Sequence, residues 1–303
     1  MAYYCYKGEI MKKILIAIFA LFIGLQCVAA TTTTANSTTK TNEAIQKRLN
    51  NIAYVLIKNN NLPNGISIKV SEEDGANAYA NLNKEIYVYR GLLNYAQTDE
   101  EIAAVLAHEI GHIVNGHNAK QSILNAIIAN LTGSVKADTT AKAVGVVAAQ
   151  QVSQSKLSRK DEFEADITAV DLLIKAKYNP LALISVVNKM SGNYIDVLSS
   201  HPSGEKRLMN IYDYINYNYP EYIKKGYDTD SYKKAHALIS LNLQERNLNP
   251  NKIKKYQKEQ AKLKQDKIKR AKKMLKSTTS WDNAYNILLL GSQQNIEEQQ
   301  ENK

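Results

Sequence analysis

Apolar side chains recur along this chain with two different periods, and the alternation between them marks out the elements. Ile45, Leu49, Ile52, Ala53 and Leu56 fall at helical spacing. Asn59-Asn60-Asn61 and Pro63-Asn64-Gly65 end that helix. Ile66 to Val70 then alternates apolar and polar, the period of a half-buried strand, and Glu72 to Gly75 supplies a turn. Residues 76–90 hold a second strand candidate, clearest at Ile86-Tyr87-Val88-Tyr89 and closed by Gly91. Thr98 is a natural N-cap, with Glu101 three residues on as its capping-box partner. The helix they open carries Ile102, Val105, Leu106, His108, Glu109 and His112. Residues 119–153 read as one or two helices rich in Ala and Val, and residues 158–177 as another that stops before Pro180. Residues 181–190 and 204–218 read as helices too. Two or three strands against six or more helices predict an α+β fold, mainly helical.

The ends of the chain differ from this body. Met11-Lys12-Lys13, the apolar run Ile14 to Leu25 and the small residues Val28-Ala29-Ala30 form a secretory signal over residues 1–30, with Met11 a second candidate start. The run is shorter than the roughly 20 residues a membrane span needs. An uncleaved anchor, or lipidation at Cys27 despite Gln26 before it, stays open. In each case the body faces away from the cytoplasm, in the periplasm or cell envelope. Both cysteines, Cys5 and Cys27, lie in this segment, so cleavage after Ala30 leaves no disulfide. Residues 31–42 read as a flexible Thr-rich linker, residues 43–225 as the main domain and residues 226–303 as a basic helical extension.

Composition adds one fact that changes the picture. With 303 residues, 44% apolar and 22% charged, the chain is long enough for one sizeable domain plus an extension, or for two small domains. Its net charge is +10, and residues 252–276, with eleven Lys and Arg270 against Glu259 and Asp266, carry all of it. The protein is a neutral body with a basic arm. A solvated helix is the plain reading of that arm. Contact with an anionic membrane or envelope surface through residues 250–276 is the sharper one. Nucleic acid is not expected for an exported protein. A last short helix with Trp281, Tyr285 and Leu288 to Leu290 is expected to dock on the body.

The candidate chemistry lies in Ala107-His108-Glu109-Ile110-Gly111-His112, which contains H-E-x-x-H. Residues four apart share a helix face, so His108 and His112 can hold one Zn2+ between their ring nitrogens. Glu109 can then act as general base on a zinc-bound water and return the proton to the leaving amine. The apolar flanks indicate a buried helix, where unpaired His and Glu are costly. A third, acidic ligand is expected on a second helix. Glu162 and Asp166 are four apart in Asp161-Glu162-Phe163-Glu164-Ala165-Asp166. Glu162 is the candidate ligand, and Asp166 the carboxylate behind a ligating imidazole. Glu164 should face elsewhere. His117 does not fit the metzincin spacing, since Asn115 and Asn118 stand where that pattern needs Gly and His. If the helix continues, His117 lies opposite His108, and it reads as structural or surface.

The strings NAYANLNKEIYVYRGLLN, DEEIAAVLAHEIGHIVNGH, SRKDEFEAD, AKYNPLALISVVNKM and SSHPSGEKR resemble peptidase family M48 in order and spacing over roughly residues 45–218. This family includes HtpX, the CAAX prenyl endopeptidases and soluble BepA-like proteases, and the exported architecture is most similar to the last. The resemblance implies a gluzincin-type zinc metallopeptidase fold, with a small sheet and the metal site between helices. It implies a metalloendopeptidase acting on protein or peptide substrates, with ligands His108, His112 and Glu162, base Glu109, and Asp166 behind them. His201 to Arg207 matches a late motif of the family. His201 is a candidate for approaching the zinc or stabilising an oxyanion, and Arg207 for ordering the cleft. A helix-capping loop explains the same residues. The strand at Ile86 to Arg90 is either an edge that pairs with substrate or an internal strand. A latent-site binding or chaperone-like envelope protein, or a surface-binding protein acting through the arm, are the competing readings.

Overall fold

The computed structural model describes residues 42–120, 122, 159–192 and 204–274. The signal and linker readings, the helices expected within 123–153, His201 and the final Trp281 helix lie outside the described residues. The chain divides into two units, Met1–Arg48 and Leu49–Lys303. Of the first, residues 42–48 are helical.

In the second unit, helix α1 (residues 49–59) buries Leu49, Ile52, Ala53 and Leu56, the stripe its periodicity marked. The buried Asn60 amide donates to the carbonyls of Leu56, at 2.8 Å, and Leu172, at 3.0 Å, tying the helix end to a distant element. A three-stranded sheet follows, with β1 (Ser67–Ser71), β2 (Ala78–Ala80) and β3 (Glu85–Tyr89) in the order β1-β3-β2. β3 runs parallel to β1, with Ile86 opposite Ile68, and antiparallel to β2, with Val88 opposite Ala78. These four side chains are buried, so one face of the sheet enters the core. The second strand region is thus two strands. They are split where Asn81 Oδ1 accepts from the backbone N–H groups of Asn83 and Glu85, and where Lys84 takes φ +62°. β3 is internal, which removes it as a substrate-pairing edge; among the described residues β2 is an edge strand. At Gly91 a Cβ would lie 1.8 Å from the Asp74 carbonyl oxygen, so no other residue fits without moving the backbone.

The helices named among the described residues are α2 (Asp99–Asn115), α3 (Arg159–Lys175), α4 (Leu181–Gly192), α5 (Glu205–Asn218), α6 (Pro220–Lys225), α7 (Asp230–Asn247) and α8 (Pro250–Met274). α2 and α3 pack together more extensively than any other pair. Gly111 makes that possible, since a Cβ there would sit 2.7 Å from the Ala165 carbonyl oxygen. Asn115 then bridges the crossing, donating to Gly111 O at 2.7 Å and Thr168 Oγ1 at 2.9 Å. Among the described residues no helix is long and apolar enough to cross a membrane.

The basic arm is helical, but it is not solvated all round. α8 turns Lys267, 13% exposed, onto Asp171 of α3, where it also donates to Tyr214 Oη at 2.6 Å. Tyr214 and Tyr219 both donate to Asp171 Oδ1 at 2.8 Å. Arg246 of α7 binds both oxygens of Asp213, at 2.8 and 2.7 Å, and its guanidinium lies 4.0 Å from the Tyr256 ring centre. The extension therefore packs back on the helices that precede it.

Burial, with Asp171 beside them, pushes the phenols of Tyr214 and Tyr219 well above their ordinary value of 10. Both groups therefore stabilise the fold fully below pH 10, and that contribution is lost as pH rises above 10. The stability of the protein, followed by urea unfolding, is expected to fall steeply above pH 10. In the double variant Tyr214→Phe, Tyr219→Phe this alkaline limb is expected to be shallower.

Candidate metal centre

Helix α2 carries three of the candidate groups, and its ends fix their register. Thr98 Oγ1 accepts from the Glu101 N–H at 3.1 Å, as the capping box requires. The Glu101 carboxylate takes the N–H of the residue before the cap. It accepts from the Gln97 N–H at 3.1 Å, from Ser185 Oγ at 2.9 Å and from Lys189 at 2.6 Å, anchoring the helix start to α4. At the other end Gly116 takes φ +66°, the left-handed conformation of a helix C-cap. Between these stops nearly every residue is buried, on all faces of the helix.

His108, His112 and Glu162 of α3 converge there, all buried. Their donor atoms form a triangle: His108 Nε2 to His112 Nε2 is 3.1 Å, and each nitrogen is 3.4 Å from a Glu162 oxygen. A tetrahedral ion with bonds of about 2.0–2.1 Å requires ligand separations of about 3.3 Å. Behind the triangle, His108 Nδ1 lies 2.9 Å from Asp166 Oδ1. A proton on that nitrogen leaves Nε2 with its lone pair toward the centre. The donor set fits zinc, with two imidazoles and one carboxylate meeting where only a cation or a proton relieves their mutual repulsion.

The acidic surroundings draw positive charge to this point. Burial and the nearby Arg207 charge oppose protonation of His108, but hydrogen bonds to Asp166 and Glu162 outweigh them and hold the imidazole at about 9. Burial raises the Asp166 carboxyl, yet the charge and hydrogen bonds of Arg207 win and keep it below its ordinary value. Arg207 of α5 grips Asp166 with two bonds, Nε to Oδ2 at 2.7 Å and Nη2 to Oδ1 at 2.8 Å, and reaches Glu162 Oε2 at 3.2 Å. Arg207, expected from sequence only to order the cleft, thus touches both Glu162 and Asp166 of α3. A cavity of about 450 Å³ opens beside it, lined in part by Arg159, Phe163, Lys206 and Asn210.

Glu109 is buried, and its Oε2 accepts from the Ala80 N–H of β2 at 3.0 Å. The Ala80 carbonyl in turn accepts from Asn118 Nδ2 at 2.7 Å. The sheet edge and the metal helix are therefore tied at one residue, which the sequence did not indicate.

The two sequence readings of His117 separate here. The helix does not continue past Gly116, so the chain folds back and buries His117 against His112, Nδ1 to Nδ1 at 2.9 Å. The surface alternative falls, and the structural one stands. The signal was Gly116, a residue suited to end a helix. Glu164 points away from Glu162, as expected from spacing, and meets His117 Nε2 at 3.3 Å.

The sequence pattern of Peptidase family M48 matches residues 39–215. The chain is 36% identical to mitochondrial metalloendopeptidase OMA1 of Arabidopsis thaliana over 149 residues, 47% of this chain and 30% of that protein. It is 32% identical to metalloprotease LoiP of Escherichia coli K12 over 187 residues, covering 57% of this chain and 71% of LoiP. With metalloprotease YcaL of the same bacterium it shares 32% over 180 residues, 56% of this chain and 69% of YcaL. The match thus spans less than a third of the plant relative and about seven-tenths of the two bacterial ones.

Replacing Gly111 by Ala is expected to push α3 away from α2 and carry Glu162 and Asp166 with it. Zinc affinity, measured by competition with a chelator, should fall at least about tenfold while the far-ultraviolet dichroism stays helical.

Proposed function

This chain belongs to peptidase family M48 and is a metalloendopeptidase; from that premise we propose that it is an exported, zinc-dependent enzyme that cleaves proteins of the cell envelope. The observation that carries the reading is the buried His108–His112–Glu162 triangle with Glu109 on the same helix. When bound, zinc supplies a Lewis acid that polarises a scissile carbonyl and acidifies water. His108, His112 and Glu162 hold it. Asp166 keeps the proton on His108 Nδ1, and Arg207 compensates the charge of the two buried carboxylates. Glu109 takes the proton of the attacking water and delivers it to the leaving amine, its carboxylate held at rest by the Ala80 N–H. An extended substrate adds to the β2 edge, and the cavity beside Arg207 receives a side chain. His201 is assigned to the zinc or the oxyanion, a reading that rests on the late motif it shares with Arg207.

Export rests on the N-terminal pattern of charged, apolar and small residues. In this reading residues 1–30 are the signal, 31–42 the linker, 43–225 the peptidase domain and 226–303 the basic extension. The exposed Lys254, Lys255, Lys258, Lys262 and Lys269 of α8 face an anionic envelope surface.

The mature protein is expected to hold one zinc per chain and to cleave casein, with cleavage abolished by chelation and restored by zinc. Glu109→Gln should keep the metal and lose at least about a hundredfold in turnover. Turnover unchanged in that variant overturns the base assignment. Zinc without cleavage in the wild type favours the latent-site reading. A second variant, His201→Ala, should lose on the order of a hundredfold, and full activity there removes His201 from the reaction.

A further inference from the structure

We propose that Arg270, on the C-terminal arm, is a positioning residue of the metal centre, acting through Glu164 and His117 on His112. It lies outside the segment that matches the family, which ends at residue 215. The inference rests on the metal reading above and extends it to the arm.

The argument follows hydrogen-bond direction from one residue to the next. His112 presents Nε2 to the metal position, 3.4 Å from Glu162 Oε1. Its Nδ1 faces His117 Nδ1 at 2.9 Å. Two ring nitrogens at that distance share one proton, so one donates and the other accepts. For His112 Nε2 to offer a lone pair to a metal, the proton must sit on His112 Nδ1, and His117 Nδ1 must accept it. With its Nδ1 accepting, the His117 proton is on Nε2. That nitrogen faces Glu164 Oε2 at 3.3 Å and Asp161 Oδ1 at 3.6 Å, which only accept. Reversing any one bond reverses the others and places a proton on His112 Nε2, where the metal binds.

Glu164 is the group that sets this direction, and Arg270 holds Glu164. Arg270 Nη1 donates to Glu164 Oε2 at 3.0 Å, the same oxygen that faces His117. Its Nη2 donates to the Asn115 carbonyl at 3.1 Å, on the last turn of α2. The two bonds fix the guanidinium between α2 and α3, a fork that Lys cannot reproduce. Lys267, three residues earlier on the same helix, pins the arm to Asp171. The arm thus braces the imidazole of His112, as Asp166 and Arg207 brace that of His108 from the other side.

His117, Asp161 and Glu164 also lie close enough together to hold a second metal ion. The guanidinium already supplies positive charge to Glu164, so this cluster belongs to Arg270 and not to a metal ion.

The test compares wild type, Arg270→Gln, Arg270→Lys and Glu164→Gln in the mature, full-length protein. Zinc affinity is read by chelator competition, and the histidine tautomers by nitrogen-15 chemical shifts. Arg270→Gln and Glu164→Gln should each weaken zinc binding about 10–100-fold. In metal-free protein they should turn the single Nε2–H form of His117 into a mixture. Arg270→Lys, which keeps the charge on Glu164, should recover part of the affinity. Wild-type affinity and unchanged shifts in Arg270→Gln overturn the inference, and so do two zinc ions per wild-type chain. A wild type that takes up no zinc defeats the metal reading itself, a result seen before any variant is compared. Should Arg270→Gln fail to fold, Glu164→Gln carries the same two readouts, and unaltered values there overturn the proposal.

Discussion

Everything in the centre depends on how closely α2 and α3 approach. Gly111 lies against the Ala165 backbone, between the two acidic residues of α3 that face the histidines. A side chain at 111 would push against the Ala165 carbonyl and shift the two helices apart. Asn115 secures the crossing one turn further on, through Thr168. Glycine in a helix interior costs about 1 kcal/mol relative to alanine. Here that local cost permits a contact no other residue allows.

Such an approach buries Glu109, Glu162 and Asp166 beside two histidines. Charge of one sign in a low-dielectric interior demands a counterpart. Arg207 answers Asp166 and Glu162, and Arg270 answers Glu164. Both cations come from helices later in the chain, so the later helices complete a charge balance that the earlier ones leave open. The Asp171 cluster repeats the pattern with Lys267.

The local parts of this arrangement were legible in the sequence. The Thr98 cap, the four-residue spacing of His108 and His112, and the equal spacing of Glu162 and Asp166 are all encoded within one or two helical turns. The periodicity of α1 and the alternation of β1 were equally plain. What escaped was set by distant contacts or by small residues. Ala78-Tyr79-Ala80 is too short and too weakly patterned to announce a strand of its own. Gly116 sends His117 inward, and that outcome depends on a pocket formed by α3. Lys267 and Arg270 look like any other charges in a basic run, since their partners lie about a hundred residues earlier. Nothing local distinguishes an inward cation from a solvated one.

The edge strand β2 is three residues long, and Ala80 has both of its backbone groups engaged, the N–H by Glu109 and the carbonyl by Asn118. A long bare edge would recruit any unfolded chain that drifted past it. This one offers little to a casual visitor. A polypeptide that pairs along it must compete for the bond that immobilises the Glu109 carboxylate. A chain seated on this edge and the Glu109 carboxylate would therefore draw on the same N–H donor.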